Sequence, residues 1–191
     1  MADVKFEEVE PDVVLERAKG FWDKYSKTIL IASTAVILLV GGYLGYKYFI
    51  QLPAEEKAQE EIFMAEENFR NDSLSLALNG NISTPGFLKV INKYGNTKTG
   101  NIARLYAGEC YLHLGDYTNA VKYLKEFDAN GAKQVEAKAQ GLLGDAYAEL
   151  KKNDEAISHY RKAGTLFPED QAISSEYLFR AALLLEMTGK V

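Results

Sequence analysis

Hydrophobic positions follow two different patterns along this chain. From Thr28 to Tyr46 it reads TILIASTAVILLVGGYLGY, an apolar run without a charge, closed by Lys27 and Lys47. As a helix, roughly 19 residues rise about 28 Å, the thickness of a bilayer's hydrocarbon core. A soluble helix of that length needs a polar stripe toward water, and this run has none. The pattern predicts one transmembrane helix over 28–50. It is expected to stay as an anchor, because the segment before it is long and acidic and YKYFIQLPAEE after it offers no A-x-A cleavage site.

On both sides of the run the apolar residues thin out to helical spacing. In the leader, 1–27, Glu7, Glu8, Glu10, Asp12 and Glu16 make a polar head, and Pro11 suits a first helical turn. Val14, Ala18, Phe21, Trp22 and Tyr25 then recur at spacings that build one face. This segment either lies at the membrane surface as an amphipathic helix or extends the anchor with interfacial aromatics. Beyond the anchor, Pro53 opens a polar helix through AEEKAQEEIFMAEENFRNDSLSLALNG, with Ala58, Ile62, Ala65 and Phe69 on its apolar side. The stretch 51–79 is expected to be a stalk. NGNISTPG breaks it, and GFLKVINKYG is a short helix ended by Gly95.

The remainder, 80–191, repeats itself. Setting Gly108 over Gly144 puts Tyr111 on Tyr147, Ala120 on Ala156 and Leu124 on Tyr160. The register is about 36 residues, close to the ~34 of a helix–turn–helix repeat. Each glycine is expected where the two helices of a hairpin cross, with the tyrosines filling the gap and the alanines keeping the helices close. Gly115 makes a left-handed turn and Pro168 ends a helix. A third copy starts near Ser175, with Ala182 at the crossing position and Gly189 matching Gly115. It stops before its second helix, so the last repeat is expected to be incomplete and the chain truncated. One period back, Gly86 falls on the Ala120 position, making the preceding helices a degenerate first copy. The fold class expected is all-α: a single transmembrane helix followed by a solenoid of helical hairpins.

Charge changes this picture mainly by exclusion. The chain has 191 residues and a net charge of -5. No Lys/Arg stripe alternates with aromatics, which argues against nucleic acid. One cysteine, Cys110, permits no internal disulfide and reads as packing. His113 and His159 lack spaced ligands for zinc. Glu60 with Glu61, and Glu66 with Glu67, are adjacent on a helix and face different ways, so they make no acid/base pair. No phosphate loop, cofactor motif or small-molecule site is evident, and an enzyme is not expected. Arg17, Lys19, Lys24 and Lys27 precede the anchor, against Lys47 and Lys57 after it, which favours a cytoplasmic N-terminus. Inside the anchor, Gly41 and Gly45 form G-x-x-x-G, a candidate helix–helix contact that is also common by chance in membrane helices.

The repeat residues resemble the tetratricopeptide-repeat family. The whole layout, FWDKYSKTILIASTAVILLVGGYLGYKYF followed by repeats, resembles a narrower group, the YfgM-like ancillary subunits of the SecYEG translocon. That resemblance implies a single-pass protein of the bacterial inner membrane with its repeats in the periplasm. It further implies a role passing emerging clients to periplasmic chaperones. An anchored import-type receptor with cytosol-facing repeats and a structural tether of an envelope complex are the alternatives. Repeat solenoids bind along the concave face made by the first helix of each hairpin. In this register that face takes Leu105, Glu109, Leu112 and His113, then Asp145 and Glu149, then Phe179 and Leu183. Leu105 and Glu109 stand where some relatives carry a Lys/Asn clamp for a peptide carboxylate, so that mode is not expected. Carboxylates around Leu and Phe suit extended segments with basic and apolar residues. Alternatively, the apolar members pack against neighbouring hairpins.

Overall fold

The computed structural model describes residues 11–190, all helix and turn apart from one isolated bridge between Gly80 and Pro85. Of the leader's acidic head, Glu7, Glu8 and Glu10 lie outside the described residues, as do the Pro11 and Val14 side chains, while Asp12 and Glu16 are exposed on the first helix. The chain divides into two compact units, Met1–Ile50 and Gln51–Val191.

The first unit is one helix, α1 (Pro11–Tyr46), closing in a π-helical turn at Lys47–Gln51. The leader's aromatic face and the apolar run therefore share a single rod. Leu30, Ile31, Ile37, Leu38 and Leu39 are all exposed on it. The apolar window is long enough to cross a membrane, and none of it is buried by protein. Gly41, Gly42 and Gly45 face open space.

In the second unit, α2 (Leu52–Arg70) starts with proline in its first turn, where the missing N–H costs nothing. The expected helix through to Gly80 does not form. After Arg70 the backbone turns left-handed at Asp72 (φ 56°), and the Asn71 N–H closes the helix on the Glu67 carbonyl. Then α3 (Leu74–Asn79) begins afresh. Nor is 51–79 a stalk: Ala58, Ile62 and Ala65 are buried in one core with Ala77, Phe87, Val90 and Ala103. Gly86 does not take the Ala120 position either. It sits at the start of α4 (Phe87–Tyr94), where its backbone crosses that of Gly80 too closely for a side chain on either residue.

The hairpins follow as read: α5 (Lys98–His113) with α6 (Tyr117–Glu126), then α7 (Lys133–Glu149) with α8 (Asn153–Leu166), then α9 (Gln171–Met187) on α8. Side-chain caps fix several starts. Thr97 Oγ1 accepts from the Gly100 N–H at 2.9 Å, and Asp116 and Asp170 accept from Asn119 and Ile173 at 3.1 Å each. Gly115 has φ +80°, as its turn requires, and Lys151 makes the equivalent turn at φ 59° without the freedom of glycine. A β-carbon on Gly108 would stand 2.5 Å from Leu124, and one on Gly144 2.5 Å from Tyr160. These are the crossings that the register placed there. Ala182 is exposed on α9.

Candidate protein-binding site

The first helices of successive hairpins meet, α5 packing on α7, and α9 reaching α7 through Tyr177 against Gly141. Here the structure sorts the expected groove residues into three kinds. Leu105 is no longer available: it is 6 % exposed and packs into the second core with Leu124, Ala139 and Leu142. The next hairpin's first helix covers its position, so it stabilises the stack instead of lining a surface. Leu112 is half-buried against the same core.

The acidic members Glu109 and Asp145 bind cations of the next hairpin's first helix. Lys138 Nζ reaches Glu109 Oε2 at 2.8 Å. Asp145 Oδ1 accepts from the Tyr160 hydroxyl at 2.7 Å and from the Arg180 guanidinium at 2.6 Å, which also donates to Glu176 at 2.6 Å. Partial burial disfavours the Arg180 charge, but Asp145 and Glu176 outweigh it and hold the guanidinium firmly protonated. Burial and the bond to Asp145 push the Tyr160 phenol above its usual range. These links tie repeat to repeat across the inner face, so the surface is less acidic than its carboxylates suggest.

Phe179 and Leu183 are exposed on α9, at 68 % and 46 %, as are His113 and Glu149 at the ends of α5 and α7. Met187, 75 % exposed, continues their stripe one turn on. Arg180 escaped sequence reading because its place in the repeat is Leu142 in α7, so no recurring cation marks it. The one available signal was an Arg four residues after Glu176, a helical ion-pair spacing.

The other chemistry-bearing residues are structural. Cys110 is buried, and burial with the nearby Glu109 pushes its thiol up to about 12, leaving it unreactive at neutral pH. His159 lies 2.7 Å from Gln140 Oε1 and stacks on Tyr147, and burial with Lys125 and Lys162 lowers its pKa. Among the described residues, no three His, Cys, Asp or Glu side chains gather as a metal site.

Residues 103–130 and 137–170 each match a family described as a tetratricopeptide repeat. No curated protein and no solved structure matches the chain. The two matches coincide with the α5–α6 and α7–α8 hairpins, so the chain carries tetratricopeptide-type helical repeats after a long apolar helix. Repeats of this type are scaffolds for binding other proteins, stacked to give an extended concave surface.

Proposed function

We propose that the chain is a membrane-anchored adaptor of the bacterial envelope, with its N-terminus in the cytoplasm and its repeats in the periplasm. On this reading it binds protein segments along the inner face and works beside the SecYEG translocon, between secreted clients and periplasmic chaperones. The observation that carries the interaction role is the exposed stripe Phe179, Leu183 and Met187, on the face where paired charges already fix the geometry of the stack. Exposed apolar side chains framed by ordered polar groups are what an extended partner buries.

Anchoring rests on the exposed apolar surface of α1, which water does not tolerate at this length. Orientation rests on the excess of Lys and Arg before the run. Gly41 and Gly45, open and one turn apart, give another membrane helix a place to approach closely.

The test uses intact spheroplasts of a bacterium making the full chain. The protein is expected to resist alkaline carbonate extraction, and protease added outside is expected to cut the Asp128–Ala132 loop. Extraction into the carbonate supernatant contradicts the anchor. Cutting only after lysis contradicts the orientation and moves the reading to a cytosol-facing receptor.

A further inference from the structure

The turns inside the two complete hairpins share a backbone but not their side chains. In the first, Gly115 is left-handed at φ +80°, and Asp116 caps α6 by accepting from the Asn119 N–H at 3.1 Å. One repeat further on stand Lys151 and Lys152. Lys151 takes the same left-handed conformation at φ 59°, which strains a residue with a β-carbon. Lys152 opens α8 with the backbone of Asp116, φ -92° and ψ 70° against φ -90° and ψ 73°, but gives the helix no side-chain acceptor. At two successive positions the second hairpin thus gives up the residue that suits its turn and carries a lysine. Local stability does not account for the pair.

These lysines have company. Lys152 Nζ lies 5.9 Å from the centre of the Tyr147 ring, and Lys125 Nζ, on α6 of the preceding hairpin, lies 5.4 Å from the same centre. Lys122, one helical turn before Lys125, stands 5.0 Å over Tyr123. All four lysines are exposed, and among the described residues none is ion-paired. His159 stacks on Tyr147 too; burial lowers its pKa first, and Lys125 and Lys162 lower it further against Glu155, as a positive field does. The unit that holds this cluster, Gln51–Val191, is acidic, with 16 Lys and Arg against 20 Asp and Glu. Of the carboxylates close by in the chain, Glu126 pairs with Arg104 at 3.7 Å and Asp154 with Lys190, which leaves Glu149 and Glu155 to offset the four cations.

We propose that Lys122, Lys125, Lys151 and Lys152 form a docking site for an acidic segment of a partner protein, where α6 and the α7–α8 turn share the Tyr147 ring. Charge complementarity names the occupant. The aromatic faces order the lysine side chains and leave their charged ends free to meet carboxylates. Glu149 and Glu155 flank the turn in the chain and repel a uniformly anionic bilayer surface, whereas a segment with discrete carboxylates passes between them. The site uses none of Phe179, Leu183 and Met187, so its failure leaves the reading above untouched.

The probe is a fluorescein-labelled Gly/Ser peptide with glutamates at alternate positions, titrated by anisotropy against the full chain in neutral detergent at low salt. Binding is expected to weaken at least about tenfold when the peptide's glutamates become glutamines. Lys151→Gly with Lys152→Asn returns a glycine and a capping side chain to the turn. This variant is expected to keep or raise the melting temperature while weakening binding at least about fivefold, and Lys122→Gln with Lys125→Gln to weaken it as much. Lys57→Gln with Lys89→Gln removes the same charge from exposed lysines elsewhere and is expected to change binding less than about twofold. Equal binding of the two peptides, no binding by the parent chain, or an equal loss in the Lys57 and Lys89 variant each overturns the site. A lower melting temperature in Lys151→Gly with Lys152→Asn overturns it as well, because the lysines then serve the fold. In vesicles of phosphatidylcholine, with or without phosphatidylglycerol, Lys151 and Lys152 are expected to be acetylated equally. Protection by phosphatidylglycerol makes the cluster a lipid contact and overturns the protein partner.

Discussion

Glu55 shows how much a single side chain decides at the entry to the repeats. It lies in the first turn of α2, yet its carboxylate accepts from the N–H groups of Lys98 and Thr99 at 2.7 and 3.0 Å and from the Thr99 hydroxyl at 2.6 Å. It caps a helix that starts far along the chain, where the N-terminal dipole favours negative charge. Partial burial raises its pKa, but the bonds from Thr99, Lys98 and Gln59 prevail and hold the carboxyl below its ordinary value. A depressed folded pKa means a contribution that is present above about 4.5 and is lost as pH falls through the folded value. Glu55→Gln is expected to cost about 1–2 kcal/mol at pH 7 in urea denaturation. The gap from the parent should shrink as pH drops below 4, and a gap independent of pH would contradict the charged cap. Nothing local marks this role, since in sequence Glu55 is one glutamate among many on a polar helix. Leu105 failed as a groove residue for a related reason: spacing gives its helical position but not which neighbour covers it.

Among the elements, the hairpins were legible and the segment before them was not. Gly108, Gly144, Tyr111, Tyr147, Ala120 and Ala156 recur because close helix crossings admit few residue types, so contact geometry is written into spacing. The break between α2 and α3 has no such signature. Asn71, Asp72 and Ser73 read equally well as a solvated helical face, and only the left-handed backbone at Asp72 reveals the turn. The crossings supply a quantitative check. Tyr160, which a β-carbon on Gly144 would strike, cannot swing away without losing its bond to Asp145. Gly144→Ala is therefore expected to destabilise the repeat unit by about 1–3 kcal/mol. Thermal melting should show a fall of about 2–4 °C for each kcal/mol in a domain of this size. No change would mean the α7–α8 hairpin is packed more loosely than its geometry indicates.

At the scale of the whole molecule, the sequence separated a greasy helix from a repeat scaffold, and the structure keeps both. What it changed is the character of the expected groove. Read as residues, that face was acidic and lined by Leu105. Folded, its carboxylates Glu109 and Asp145 bridge the repeats through Lys138 and Arg180, and the accessible apolar surface moves to α9. Such pairings arise between helices of different repeats and are invisible to any pattern within one. The account stands on that face meeting other proteins while the chain sits in a membrane. The most direct measurement places a photocrosslinking residue at Leu183 on the inner face, or at Ser158 on the exposed side of α8, in cells making the full chain. Adducts are then identified by mass spectrometry. The account predicts discrete envelope-protein adducts from Leu183, translocon components and secreted clients among them, with few from Ser158. Equal labelling from both positions, or none from Leu183, would contradict it.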